Sequence, residues 1–234
     1  MNNRLQRAQR VAIGITPLAW GPTAFFAGDE EGPGLIHLEH FDGRKVPRPV
    51  TGQTAVHSLR NLLCRDFLEH RTEDYLLFLD HDMMYPADLL VHVGGYSAPI
   101  VSGTYFIRDF DRPLPVVFNF REDGQHLRYL IREVYGWLRE EERGLHQADV
   151  VGAGCLAIRR DVLEAMAGDW FQGSIGAEDV HFCRRAKELG FPVFVDTQVV
   201  CRHLQQMGIG ANWFLAWANS EMQNLAEDVH KAAS

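Results

Sequence analysis

The stretch YLLFLDHDMMYPADLL, Tyr75–Leu90, decides the fold of this chain. Its first part, YLLFLD, is an almost continuous apolar run, which is typical of a central β-strand that is buried on both faces. The run ends abruptly in Asp80, and a second acid, Asp82, follows two positions later. Ligands of open α/β sheets bind beyond the carboxyl ends of the strands. The stretch therefore predicts a buried strand with a polar site at its end.

The segments on either side predict that strands and helices alternate along the chain. A β-branched run from Arg10 to Ile15 predicts a first strand, and Gly21–Gly34, rich in Gly and Pro, predicts a loop. Apolar residues at helical spacing predict a helix before the central strand, and Pro86 favours a helix start after it. The helical apolar positions are Val56, Leu59, Leu62, Leu63 and Phe67.

The second half continues the alternation. We expect one strand in PIVSGTYF, a pair of strands in LPVVFNF and HLRYLIREV, and a strand followed by a helix in DVVGAGCLAIRRDVLEAM, with Asp161 as the helix N-cap. A helix from Glu178 to Leu189, with Gly190 as its C-cap, should precede the strands of GFPVFVDTQVVCRHL. This order predicts an α/β sandwich with a mostly parallel central sheet.

Composition limits the class of protein. The 234 residues have a formal net charge of −8, which disfavours a dedicated nucleic-acid binder, and 46% hydrophobic residues, which suffices for one large core. The four cysteines form no CxxC pair and predict buried free thiols. Neither a signal-peptide core nor a membrane span is recognisable, so we expect a soluble cytoplasmic protein.

The acids at the strand end have two interpretations. Both carboxylates can converge on one hard cation such as Mg²⁺ or Mn²⁺, which takes oxygen ligands. Alternatively, Asp80 and Asp82 are only a solvated strand end or a helix cap. A phosphatase of the haloacid dehalogenase type would carry a Thr four residues after the first acid, where this chain has Met84.

A second acidic pair, Glu178-Asp179, stands at the predicted start of the helix after a glycine-containing loop. By itself such a pair is also consistent with simple capping, because the helix N-terminus stabilises negative charge. The helix, the strand FPVFVD and His203 then follow in order.

Together these motifs resemble the GT-A class of nucleotide-sugar glycosyltransferases. Asp80-His81-Asp82 is similar to the DxD motif of that class, Glu178-Asp179 to its later acidic pair, and His203 to its downstream histidine. The segment HSLRNLL resembles its Arg-Asn helix, and IVSGTYF and VVGAGCLAIRRDVL resemble its acceptor-side strands. The resemblance extends from about Val11 to His203. It implies a GT-A type α/β/α sandwich over 1–208 and leaves 209–234 as a C-terminal helical tail, packed on the domain or on a partner such as a second copy of the chain.

The resemblance also implies roles for single residues. Asp82 and His203 would bind the metal, and Asp80 would share it or contact the donor ribose. Asp179 would be the catalytic base of an inverting transfer, with Glu178 contacting the acceptor or donor sugar; the two acids could exchange roles. The nucleotide pocket would include Thr16, Pro17 and Arg60. Gly103, Gly152 and Gly154 would let the backbone approach the sugars closely.

The implied reaction is transfer of a sugar from a UDP-sugar or GDP-sugar to an acceptor hydroxyl, with Mn²⁺ or Mg²⁺. The acceptor stays open among a glycan, a lipid-linked glycan, a protein side chain and a modified nucleobase. Two alternatives remain. A nucleotidyltransferase would usually carry a basic phosphate loop after the first strand, and GITPLAWGP has no Lys or Arg. A binding module without catalysis would not need all of the acids.

Overall fold

The structure is a computed structural model that describes residues 11–16, 26–29, 32–34, 56–80, 82–109, 111–173 and 177–204. These residues all belong to one compact unit, Met1–Leu204. The predicted tail 209–234, the middle DxD residue His81 and the pocket residue Pro17 lie outside them. The predicted domain boundary therefore stays a prediction.

The described residues form thirteen strands, five α-helices and one short 3₁₀-helix, Glu140–Glu142. The helices are α1 Val56–His70, α2 Leu89–Gly95, α3 Ile131–Trp137, α4 Arg160–Met166 and α5 Glu178–Glu188. The strands are β1 Val11–Thr16, β2 Phe26–Asp29, β3 Gly32–Gly34, β4 Tyr75–Asp80, β5 Met83–Tyr85, β6 Ile100–Thr104, β7 Val117–Phe120, β8 Leu127–Tyr129, β9 Leu145–Ala148, β10 Val150–Val151, β11 Cys155–Arg159, β12 Val193–Val200 and β13 Arg202–His203.

The central sheet has six strands in the order β1-β4-β11-β6-β12-β9. Strand β4 pairs in parallel with β1, and β6 pairs in parallel with β12, whereas β11 runs antiparallel between β4 and β6, and β9 is antiparallel at the edge. Four of the six strands thus share one direction, which confirms the predicted α/β fold with a mostly parallel sheet. Two smaller sheets, β10-β7-β8 and β13-β5-β2-β3, flank it.

Alternate residues of β4 enter two different cores, which makes the fold three-layered. Leu76 and Phe78 pack in a cluster with the buried faces of α1, α4 and α5. Tyr75, Leu77 and Leu79 pack in a second cluster that includes the buried face of α2. Because a strand directs successive side chains to opposite faces, the continuous apolar run is explained by helices that cover both sides of the sheet.

Three local predictions are wrong. The predicted loop Gly21–Gly34 contains the strands β2 and β3. In HLRYLIREV only β8 is a strand, and α3 follows, since Leu130 and Val134 are buried at a spacing of four residues. Asp161 is not an N-cap: Arg159 occupies that position, and the Asp161 carboxylate accepts two hydrogen bonds from its guanidinium.

The segment DVVGAGCLAIRR was predicted as one strand and is two strands in two sheets. Strand β10 pairs with β7 of a small sheet, and β11 joins the central sheet after the turn Gly152–Gly154. All four cysteines are buried free thiols, as predicted. Among the residues that the structure describes, no helix is long and apolar enough to cross a bilayer.

Candidate functional site

A buried arginine joins the two acidic motifs. The Arg60 guanidinium, only 3% exposed, donates from Nη1 to Asp179 Oδ1 at 2.9 Å and to Glu178 Oε1 at 3.2 Å. Its Nη2 lies 3.2 Å from Asp80 Oδ1. The structure therefore brings Asp80, Glu178 and Asp179 together around one positive charge, which lies in the protein interior and not on a solvated helix face.

Helix α1 positions this arginine. Arg60 lies on the face that also buries Leu59, Leu63 and Phe67, so the helical spacing directs its side chain into the protein. The next residue, Asn61, accepts a hydrogen bond from the Phe171 N–H at 3.0 Å and donates to the Phe171 carbonyl at 2.8 Å. Helix α1 thus contacts the end of β4 through Arg60 and the segment before α5 through Asn61.

The Asp179 carboxylate has a raised pKa and remains partly exposed. Burial raises its pKa to about 6; Arg60 opposes this shift, and the negative charge of Glu178 adds to it. Its Oδ2 accepts a hydrogen bond from the Ala153 N–H at 3.1 Å, and 21% of the side chain remains exposed. A carboxylate that titrates near neutral pH and is accessible to a ligand has the properties of a general base.

Two buried polar atoms at this cluster have no hydrogen-bond partner among the described residues. They are Arg60 Nε and Glu178 Oε2. Buried polar atoms are nearly always paired in native proteins, and an exception indicates a bound water, a ligand or a functional constraint. Within the part of the chain that the structure describes, these two atoms are therefore available to a ligand.

The end of β4 is fixed by its backbone. The Asp80 N–H donates to the Gly154 carbonyl at 3.0 Å, and the Tyr85 hydroxyl lies 2.6 Å from the Asp80 carbonyl. The Tyr105 hydroxyl accepts a hydrogen bond from the Gly154 N–H at 3.1 Å. Burial, together with Asp179 and Asp80, raises the Tyr105 pKa well above its usual value, so the phenol remains protonated.

Asp82 and His203 are brought together by the smaller sheet β13-β5-β2-β3. Strand β13 pairs with β5 so that His203 stands opposite Met83, and the Leu204 N–H donates to the Asp82 carbonyl at 2.8 Å. The His203 Nδ1 donates to the Phe106 carbonyl at 2.7 Å, because a carbonyl can only accept. This fixes the tautomer and leaves Nε2 as the atom that can bind a metal, as is usual for metal-binding histidines.

The donor set fits a hard divalent ion, because two carboxylates supply the oxygen ligands that Mg²⁺ and Mn²⁺ prefer, and the imidazole of His203 would add one nitrogen ligand. In this structure each carboxylate instead contacts a guanidinium: Asp80 contacts Arg60, and Asp82 Oδ2 lies 2.6 Å from Arg108. No three His, Cys, Asp or Glu side chains in the described part of the chain form a cluster that could hold a metal. The chemistry fits a metal, but the ligands are not gathered around one point.

The remaining predicted site residues are distributed differently. Thr16 pairs through its backbone with Asp80 at the end of β1, and Pro17 lies outside the described residues. Gly103 lies inside β6, and a Cβ at this position would come within 2.9 Å of Val199 Cγ1. The absence of a side chain at Gly103 is therefore explained by close packing in the core. Gly154 borders the site, where a Cβ would lie 3.2 Å from Asp80 Oδ2.

Sequence reasoning missed Tyr105, Ala153 and Arg108. Tyr105 and Ala153 act through a hydroxyl and a backbone N–H, groups that have no distinctive spacing in a sequence. Arg108 lies in a loop, and its 43% exposed side chain follows no periodic pattern. Only the folded chain shows that it reaches Asp82.

Comparisons with known proteins give no family. No protein-family profile matches the chain, and no curated protein sequence is similar to it. Among solved structures, A197 from STIV is similar at 18% identity and a TM-score of 0.42, with 66% of this chain and 70% of that chain covered.

Two other similar structures carry glycosyltransferase names. GalNAc-T7, solved with UDP, GalNAc and Mn²⁺, has 11% identity and a TM-score of 0.45, with 68% of this chain covered. The mannosyltransferase PcManGT from Pyrobaculum calidifontis, in complex with GDP-Man and Mn²⁺, has 21% identity and a TM-score of 0.37, with 72% of this chain covered. This chain covers only 32% and 42% of those two proteins. Similarities of this strength show no family for this chain.

Proposed function

We propose that the protein is a metal-dependent glycosyltransferase of the GT-A type, which moves a sugar from a UDP-sugar or GDP-sugar to an acceptor hydroxyl. The observation that carries the proposal is the contact of one buried guanidinium, Arg60, with both Asp80 and Asp179. It joins an acidic strand end, suited to a nucleotide and a metal, to a carboxylate with the pKa of a general base.

On the donor side we assign Asp82 and His203 to the metal, with Asp80 sharing it or contacting the ribose. Mn²⁺ or Mg²⁺, when bound, would neutralise the diphosphate leaving group. The fixed tautomer of His203, with Nδ1–H donated to Phe106, supports this assignment because it leaves Nε2 for coordination.

On the acceptor side we assign Asp179 as the base that removes the proton from the attacking hydroxyl. Above pH 6 this carboxylate is mostly ionised, since its pKa is raised to about 6. Glu178, whose Oε2 lacks a partner among the described residues, contacts a sugar hydroxyl. One carboxylate acting on the acceptor suits a single displacement, so we propose inversion and a β-linked product from an α-linked donor.

We propose an acceptor that carries a hydroxyl group, which can belong to a glycan, a lipid-linked glycan, a protein side chain or a modified nucleobase. We also keep as proposals a cytoplasmic location and self-association through the tail 209–234. The electrostatics favour a neutral hydroxyl acceptor over an anionic one, because Arg60 is outnumbered by the carboxylates of Asp80, Glu178 and Asp179.

The test is a screen of UDP-sugars and GDP-sugars with Mn²⁺, read as donor hydrolysis without acceptor and as transfer to a panel of sugars. We expect Asp179→Asn to retain donor affinity and to lose about a hundred- to ten-thousand-fold in transfer rate. Glu188→Gln, an exposed acid on the same helix, is the matched control and should behave like the wild type. An α-linked product would contradict inversion and the base role of Asp179. Donor binding without any turnover would favour a non-catalytic binding module.

A further inference from the structure

The segment Phe106–Arg108 contacts both groups that we assign to the metal. The Phe106 carbonyl accepts the hydrogen bond from His203, and two residues later the Arg108 guanidinium pairs with Asp82 at 2.6 Å. The segment starts a loop whose base is closed by the Phe106–Pro115 bridge and by the Ile107 N–H bond to the Leu114 carbonyl, at 2.9 Å. Arg108 therefore reaches Asp82 from an anchored position.

A divalent ion that binds Asp82 Oδ2 competes with the guanidinium of Arg108, which lies 2.6 Å from that oxygen. Arg60 and Arg108 both pair with candidate ligands, but they differ in how tightly they are held. Arg60 is buried among three carboxylates, whereas Arg108 is 43% exposed and Asp82 15% exposed. Exposed ion pairs contribute little, while breaking a buried one leaves uncompensated charge. A divalent ion would therefore displace Arg108 more easily than Arg60.

We propose that Arg108 is an internal counter-cation of Asp82, displaced when a divalent ion arrives and transferred to the diphosphate that arrives with it. The proposal rests on the proposed function and assigns Arg108 as a further donor-binding residue. A guanidinium matches phosphate oxygens bidentately, so its release from one carboxylate supplies a second positive group for the leaving diphosphate. In the absence of ligand, the pair neutralises the charge of Asp82, which follows Asp80 by two positions in the chain.

The proposal predicts opposite effects of one substitution on two ligands. Without nucleotide, Arg108→Gln should bind Mn²⁺ about two- to fivefold more tightly than the wild type, because the competing cation is gone. The same variant should bind the manganese complex of pyrophosphate about tenfold more weakly, because the bidentate contact is lost. Arg108→Lys keeps the positive charge but not the planar guanidinium that binds phosphate bidentately. Compared with Arg108→Gln, it should therefore restore the competition with Mn²⁺ but only part of the affinity for pyrophosphate.

The matched control is Arg112→Gln, which removes an equal charge from the same loop at another exposed position. Free Mn²⁺ is measured by electron paramagnetic resonance, pyrophosphate binding by calorimetry, and the fold of each variant by its melting temperature. Equal Mn²⁺ affinities in Arg108→Gln and Arg112→Gln would overturn the proposal, as would unchanged pyrophosphate affinity or no Mn²⁺ binding in any variant. Failure of the proposed function has a separate readout, namely wild-type protein that turns over no nucleotide sugar.

Discussion

Arg60 Nη1 lies 2.9 Å from Asp179 Oδ1, a contact between residues 119 positions apart, and the other terminal nitrogen of the same guanidinium reaches Asp80. The end of the central strand and the start of α5 are thus electrostatically coupled. A substitution at Arg60 should therefore affect both the acid at the end of β4 and the acids at the start of α5.

Replacing Arg60 with methionine should destabilise the protein strongly. The variant would leave three acids close together without their cation, and breaking a buried ion pair in this way costs about 3–5 kcal/mol. We expect the loss to be larger at pH 7 than at pH 5, because at pH 5 Asp179, whose pKa burial raises to about 6, is mostly protonated. The measurement is the free energy of unfolding in urea at both pH values.

Arg65→Met is the matched control for this experiment, since Arg65 is exposed on the same helix. It should change the free energy of unfolding by no more than about 0.5 kcal/mol. A similar loss in both variants would mean that the three acids do not depend on Arg60.

The rate of transfer should rise with pH and reach half of its maximum near pH 6. The cause is the Asp179 pKa, raised to about 6 mainly by burial, because only the ionised carboxylate can accept a proton. The same raised pKa means that Asp179 stabilises the fold most below its ordinary pKa of about 3.8, and this contribution is lost as pH rises from there through 6. A pH–rate profile measures the first effect and pH-dependent melting the second. A rate that is flat between pH 5 and 8 would contradict the assigned base.

Gly154→Ala should impair the site by crowding. Its Cβ would lie 2.6 Å from Met83 Sδ, so the buried Met83 side chain must shift, and 3.2 Å from both Asp80 Oδ2 and Tyr105 Cζ, which must give by a few tenths of an ångström. We expect a loss of about 1–3 kcal/mol in stability and weaker donor binding. The matched control is Gly95→Ala, where a Cβ meets nothing within 4 Å and the change should be neutral or slightly stabilising. Equal behaviour of the two variants would show that the strand end adapts freely.

Asp82→Ala should abolish Mn²⁺-dependent donor binding while leaving the fold intact. The residue follows β4 outside the central sheet, and its described ion pair, with Arg108, is partly exposed, so little stability depends on it. Calorimetry with UDP-sugars and GDP-sugars, with and without Mn²⁺, makes the comparison, and Asp88→Ala, a 62% exposed acid, serves as the control. Metal-independent binding that is unchanged in Asp82→Ala would remove Asp82 from the site.

The sequence predicted the main elements because their signals are local. The apolar run of β4 and the helical spacing of α1 each lie within one segment and need no partner to be recognised. The errors arose where pairing or a change of sheet decides the structure. Strands β2 and β3 lie in a stretch rich in Gly and Pro and exist through pairing with each other and with β5. The change from β10 to β11 occurs at Gly152–Gly154, which a residue pattern alone cannot distinguish from one continuous strand.

For the candidate site, the sequence by itself determined which residues have the required chemistry, namely acids at a strand end, acids at a helix start and a downstream histidine. Only the tertiary structure decided their partners. It buried Arg60 between the two acidic motifs, although a helical arginine is usually solvated, and it paired Asp82 with Arg108 from a loop without any pattern. The physical reason is that ionic contacts between distant residues depend on the distance between charges and on their burial after folding, and neither quantity is encoded in local spacing.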